Sequence, residues 1–252
     1  LHLMLFDNVR EPAFVMTIAN PPNEPIVTDN IEATEKLGSV VDYFLFHNRN
    51  VAQRCDDSVV RVHGENTSLI RRSRGYAPEP VQLKWSLKNC VLGVGAELNA
   101  TSCVLLKDKA YMSQHIGDVE NLETLQFLKN ATKHVLRLIN SQPIVIACDL
   151  HPRFTTTLLA KELGSELSLP VVSIQHHHAH AAALMAEHGK NEIIAIVCDG
   201  YGYGSDGTTW GGEILHCKRD GSFQRLGHLE EQPLIGGDLA TRFPLRMAAG
   251  IL

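Results

Sequence analysis

The sequence predicts an α/β protein with a partly duplicated architecture, and three observations carry that prediction. Apolar runs and amphipathic segments alternate from residue 120 to 198, antiparallel-strand patterns precede them, and a fresh set of such strands begins after them. A proline-containing, weakly patterned stretch, Pro78 to Lys88, separates this block from the first third of the chain.

In chain order, Ala13 to Thr17 reads as a strand. Asn20-Pro21-Pro22-Asn23-Glu24-Pro25 reads as a rigid loop, because its prolines exclude helix and inner strand alike. A helix from Asn30 to Leu37 follows, capped by Asp29 or Asn30, and Val41 to His47 has the pattern of another strand. Arg54 to Arg61 and Leu69 to Pro78 contain a polar and a basic loop that flank a β-hairpin. Arg71, Arg72 and Arg74 beside Gly75 suit phosphate, since guanidinium forks match phosphate oxygens; a solvated basic turn is the bland alternative.

After the divider, Val91 to Leu98, Ser102 to Leu106 and Ala110 to Gln114 suggest an antiparallel meander turning at Lys107-Asp108-Lys109, and Glu120 to Asn140 is a long amphipathic helix. Strand Ile144 to Cys148, helix Arg153 to Gly164, strand Pro170 to Ile174, helix Ala179 to His188 and strand Glu192 to Cys198 complete the alternation. A second meander starts with Gly207 to Leu215 and turns at Asp220-Gly221, and Arg242 to Ala249 reads as a helix. Three antiparallel strands, two strand-helix units and then a restart is the order of an actin-like, sugar-kinase-type duplicated fold, of which only the restart of the second half is present here.

The chemistry concentrates in Gln175-His176-His177-His178-Ala179-His180, placed between a β-branched strand and an alanine-rich helix. Ligands of open α/β sheets bind at the carboxyl ends of strands. A spacing of four at a helix start puts His176 and His180 on one face, within reach of one ion, and turns His177 and His178 elsewhere. The next strand ends in Asp199-Gly200, which completes a two-histidine, one-carboxylate set that suits zinc and iron alike. The bland alternative is a polar helix start whose histidines bond to loops. Gly202 and Gly204 allow backbone to approach a ligand, and Gly236-Gly237-Asp238 before a helix can present amides to a phosphate or ribose.

Composition narrows the function classes. A formal charge of −5 over 252 residues argues against a predominantly electrostatic nucleic-acid binder. The cysteines, Cys55, Cys90, Cys103, Cys148, Cys198 and Cys217, form no C-x-x-C pair, so neither a zinc ribbon nor a disulfide framework is indicated; Cys148 and Cys198 read as buried strand residues. Leu1 to Phe6 is too short to span a bilayer and lacks the basic start of a signal peptide. The expectation is an internal piece of a longer cytoplasmic protein, without membrane contact.

Eight motifs, in order along nearly the whole chain, resemble the HypF family of hydrogenase maturation carbamoyltransferases. They are Asn20 to Pro25, Arg54 to Val59, Arg71 to Pro78, Ser113 to Asp118, Cys148 to Pro152, Gln175 to His180, Asp199 to Glu213 and Gly236 to Asp238. The resemblance implies that residues 1–80 are the C-terminal part of a YrdC-like domain that binds ATP and forms a carbamoyl-adenylate from carbamoyl phosphate. Residues 81–90 would be a linker, and 91–252 the first part of a metal-binding, actin-like transfer domain. It implies transfer of the carbamoyl group to the C-terminal cysteine of a HypE-like partner, on the route to the cyanide ligands of nickel-iron hydrogenase. It places metal ligands at His176, His180 and Asp199; the candidate nucleotide or phosphate contacts, read from the residues, are Asn20, Arg71, Arg72, Arg74, Gly202, Gly204, Gly236, Gly237 and Asp238. The first loop departs from the family's Ser-Gly-Asn-x-Ser-Gly-Glu-Pro: Ile18 to Pro25 lacks the serine hydroxyls. The piece alone is expected to be inactive. The competing reading is an RNA-associated YrdC-like module joined to a structural metal domain; the acidic balance and the lack of interleaved aromatics disfavour it.

Overall fold

The computed structural model describes residues 2–7, 13–237 and 239–252. The first third holds helix α1 (His2–Leu5), helix α2 (Asn30–Leu37) and a hairpin of β1 (Val59–His63) and β2 (Asn66–Arg71). Asp29 caps α2 by accepting from the amides of Ile31 and Glu32, which satisfies donors that have no intrahelical partner.

Residues 13–17 and 41–47, expected as strands, are irregular. Val15, Tyr43 and Leu45 are almost fully exposed, and no strand among the described residues pairs with either segment. A β-pattern is stable only against a neighbour that completes its ladder.

A six-stranded sheet follows, in the order β3-β6-β5-β4-β7-β8. It comprises β3 (Val81–Gln82), β4 (Val91–Gly93), β5 (Cys103–Leu106), β6 (Lys109–Met112), β7 (Val145–Asp149) and β8 (Val171–Ile174). The first four pair antiparallel, while β4, β7 and β8 run parallel. The segment expected as a linker is docked here: β3 forms the sheet edge, and the amides of Leu83 and Leu87 bond to Asp108 and Lys107 carbonyls.

Helix α3 (Leu122–Leu138) begins in a capping box of Asn121 and Thr124 and buries Phe127, Leu128, Ala131, Thr132 and Val135, a stripe at helical spacing. Helix α4 (Thr155–Leu167) buries Leu159, Ala160 and Leu163 and stops where Ser168 turns left-handed at φ 55°. Both helices close on Leu92, Val94, Val104 and Ile146 in the main core. Leu92, Leu128 and Ile146 are wholly excluded from water, so truncating any of them to alanine costs about 2–5 kcal/mol.

Helix α5 (His176–His188) connects to β9 (Glu192–Val197), and here the architecture differs from the expected alternation. Strand β9 does not extend the six-stranded sheet. It pairs antiparallel with β12 (Glu213–Lys218), which pairs with β13 (Phe223–His228), so β9 opens the second sheet. Between β9 and β12 lies a small hairpin of β10 (Gly202–Tyr203) and β11 (Thr209–Trp210). Helix α5 packs Ala181 and Met185 on Trp210, Leu215 and Cys217, a second core. Cys198, expected to be buried, is exposed just beyond β9. The terminal helix is divided at Pro244 into α6 (Leu239–Arg242) and α7 (Leu245–Ile251). Proline lacks the amide that a continuous helix requires.

Candidate metal centre

Three strand ends converge on one site. Helix α5 starts three residues before the expected Ala179, so the histidines form its first turns. Gln175 caps it, its Oε1 accepting from the His178 amide at 2.9 Å. His176 and His180 then face Asp199, which follows β9, and one ligand atom from each of the three lies within 4.8 Å of the others.

The Oδ2 atom of Asp199 is the focus. The Nε2 atoms of His176, His177 and His180 stand 3.1, 3.6 and 3.9 Å from it. None is aligned as a hydrogen bond, so this oxygen is buried without a partner. A tetrahedral ion at about 2.0–2.2 Å from its ligands holds them roughly 3.3–3.6 Å apart. The His176 and His180 distances, 3.1 and 3.9 Å, bracket that range, so small shifts of the two rings bring both imidazoles and the carboxylate to one ion. Two imidazoles and a carboxylate suit zinc or iron.

Behind this set lies Asp149, the last residue of β7. It is buried, with Oδ1 accepting from the His151 amide at 2.8 Å and Oδ2 contacting His176 Nδ1 at 2.7 Å. The Asp149 hydrogen bond is the main reason that the His176 imidazole is raised above its ordinary value, against the opposing effect of burial. Burial lowers His177, which is wholly enclosed. His178 stacks on Phe223 at 4.5 Å, and burial lowers it as well. Of the four histidines, one is half-buried at the focus, two are packed, and His180 is exposed beside Asp199.

Glycines in the next loop make room for this arrangement. A Cβ on Gly202 would lie 2.5 Å from His177 Cε1 and 3.1 Å from His176 Cβ. The amide of Gly204, expected to face a ligand, donates to Thr208 O, and that of Gly237 donates to Leu234 O. Gly236 and Gly237 occupy a turn at positive φ, 83° and 57°. Asp238 lies outside the described residues.

The expected phosphate contacts of the first third are turned largely onto the chain itself. Asn20 Nδ2 donates to the carbonyls of Pro21 and Glu24, which closes its loop. Arg74 donates to Cys55 O and pairs with Asp57. Arg72 donates to Glu79 O through Nη2, but its Nη1 is buried without a partner. Arg71 is half-buried at the end of β2.

Sequence reasoning did not assign roles to Asp149 and Gln175. The signal was present: each immediately ends or follows a strand of the parallel set, at the edge that also carries His176.

Similarity to known proteins agrees with this architecture. The HypF Kae1-like domain profile matches residues 86–187. The profile described as "Carbamoyltransferase, Kae1-like Domain, second subdomain" matches 195–252. The Sua5/YciO/YrdC profile, described as "Telomere recombination", matches 1–73. The probable carbamoyltransferase HypF of Methanocaldococcus jannaschii is 48% identical over 100% of this chain and 33% of its own length. Carbamoyltransferase HypF2 of Cupriavidus necator is 47% identical over 94% of this chain and 30% of its length. Among solved structures, T. kodakarensis HypF superposes with a TM-score of 0.83 at 44% identity, covering 94% of this chain and 31% of that one. Full-length HypF in a phosphate- and nucleotide-bound form gives 0.82 at 41% identity, covering 93% and 36%. The chain thus spans about a third of the length of the curated relatives it matches. By its domain content, its sequence over nearly every residue and its fold, the chain belongs to the HypF family.

Proposed function

We propose that this chain is part of an ATP-dependent carbamoyltransferase of hydrogenase maturation. In this reading, carbamoyl phosphate and ATP yield a carbamoyl-adenylate in the YrdC-like part, residues 1–80, and the carbamoyl group passes to the C-terminal cysteine of a HypE-like partner in the part from residue 91 onward. The observation that carries it is the buried, unpartnered Asp199 Oδ2 facing His176 and His180, in a chain whose relatives bear the name carbamoyltransferase.

His176, His180 and Asp199 would hold a zinc or iron ion. Such an ion, when bound, supplies Lewis-acid stabilisation of charge on a carbamoyl or phosphate oxygen. Asp149 fixes the His176 ring, and Gly202 admits His177 beneath it. His180 keeps an exposed edge, which leaves the acceptor thiolate and the mixed anhydride a way in. Attack by the thiolate builds negative charge on the carbamoyl oxygen and then on the departing phosphate.

For ATP, the support is Arg72, one of the arginines expected to meet phosphate: its buried Nη1 is a donor without a hydrogen-bond partner. A solved relative in phosphate- and nucleotide-bound form adds to it. Gly236 and Gly237, with Asp238 next in the sequence, remain the proposed ribose or phosphate segment of the transfer part.

The test uses the whole protein that carries this chain. His176→Ala with His180→Ala should abolish carbamoylation of the partner thiol and leave carbamoyl-phosphate-dependent pyrophosphate exchange largely intact. Arg72→Ala should weaken the exchange first. Partner carbamoylation at the wild-type rate in the double histidine variant would make the cluster structural rather than catalytic.

A further inference from the structure

Distance alone does not say which imidazoles bind a cation, because His177 Nε2 lies 3.6 Å from Asp199 Oδ2, between the values for His176 and His180. Proton placement does. We infer that Asp149 and Gln175 set opposite tautomers on the adjacent rings, so that His176 presents a lone pair at Nε2 while His177 presents a proton there. This rests on the cation site proposed above.

For His176 the logic starts from Asp149. Both of its oxygens accept, one from the His151 amide and one from His176 Nδ1. His176 therefore carries its proton on Nδ1, and the neutral ring has a bare Nε2 toward Asp199. In that neutral form Nε2 and Oδ2 turn lone pairs toward each other at 3.1 Å, and a cation between them is coordinated by both.

For His177 the logic starts from Gln175, whose amide orientation is fixed from two sides. Its Oε1 accepts from a backbone amide, which can only donate, and its Nε2 donates to Tyr203 O, which can only accept. The second hydrogen on Gln175 Nε2 points at His177 Nδ1, 3.0 Å away, so that nitrogen must accept. His177 consequently holds its proton on Nε2, the buried atom that has no aligned partner and faces Asp199. Such a ring cannot ligate. Its Nε2–H stands 3.6 Å from Asp199 Oδ2, behind the ligand atoms, where it adds a favourable charge contact to the carboxylate without taking a coordination position. Asp149, Gln175 and His177 are positioning residues.

Substitution can reverse each choice. In Asp149→Asn, the His151 amide holds the carboxamide oxygen, so the NH2 group faces His176 Nδ1 and drives its proton to Nε2. Zinc affinity of the whole protein, measured by chelator competition, should fall about 10–100-fold, and the absorption of bound cobalt should change. In Gln175→Glu, a carboxylate faces His177 Nδ1, moves the ring's proton there, and frees Nε2 to bind. The Gln175→Glu change should therefore restore zinc affinity lost in His180→Ala, at least tenfold, with the restored binding abolished by adding His177→Ala. Wild-type zinc affinity in Asp149→Asn, or no rescue in Gln175→Glu with His180→Ala, overturns the tautomer assignment while leaving the cation site standing. A wild-type protein whose zinc affinity equals that of His176→Ala with His180→Ala overturns both.

Discussion

Glu213, fully buried at the start of β12, receives a two-pronged bond from Arg225 on β13, with Nε at 2.6 Å and Nη2 at 3.0 Å from its two oxygens. The Gly211 amide donates to the same carboxylate, and the Arg225 guanidinium lies 4.3 Å over the Trp210 ring. Removing one member leaves an unpaired buried charge, which costs about 3–5 kcal/mol. Arg225→Met should therefore lower stability by about that amount in denaturant melts, and adding Glu213→Leu should recover part of it. Equal stability of Arg225→Met and wild type would mean that the pair is idle.

Gly202 is needed for space, since its φ is not positive while a Cβ there would collide with His177 Cε1 at 2.5 Å. Gly202→Ala should displace the imidazole rings and reduce zinc affinity at least tenfold, with a smaller effect on melting temperature. A variant that binds zinc as tightly as wild type would show that the loop yields without moving the histidines.

Asp206 accepts from the Thr208 amide, the Thr208 hydroxyl and Trp210 Nε1, and these bonds, the Thr208 amide first, hold its carboxyl down to about 2 from 3.8. The folded value is below the unfolded one, so the stabilisation is complete above pH 3.8 and disappears as the pH falls through about 2. In a Trp85→Phe background, Trp210 fluorescence should change in that acid window and be absent as a transition in Asp206→Asn. Identical acid profiles of the two proteins would remove Asp206 as the cause.

The outer face of β9, β12 and β13 carries Ile194, Ile196, Ile214 and Leu226, with Ile194 67% and Ile196 75% exposed. Contiguous apolar surface of this kind attracts apolar dyes and other surfaces. Ile194→Lys with Ile196→Lys should lower dye binding and raise solubility of this chain without lowering its melting temperature. A large drop in melting temperature would show that the face is covered.

The legible parts of the fold were those in which one segment states its own environment. Helix α3 shows its buried stripe at Phe127, Leu128, Ala131 and Val135, and β7 and β8 are short apolar runs between helices. Residues 13–17 and 41–47 have the composition of strands but no pairing strand among the described residues, which a local pattern does not reveal. The start of α5 was hidden because glutamine is outside the usual capping set and the first turn is polar histidine rather than apolar. The sheet to which β9 belongs depends on its register with β12, which lies beyond an intervening hairpin. At the site, His176, His180 and Asp199 were readable from strand ends and helical spacing. Asp149 and Gln175 act through another residue's ring, and only the folded chain shows which atoms meet.

His176 also touches two sheets that share no strand. Its Nδ1 meets Asp149 at the end of β7, in the six-stranded sheet, and its Nε2 faces Asp199 beyond β9, in the three-stranded one. An aromatic ring has a fixed width, so it behaves as a gauge block between the two sheets: a relative slide of about 1 Å opens one contact or the other, because hydrogen bonds and coordination tolerate little stretch. For the cation proposed above, occupancy and sheet register would then be two readings of one equilibrium. By reciprocity, anything that locks the sheets would tighten that ion by the same factor with which the ion locks the sheets.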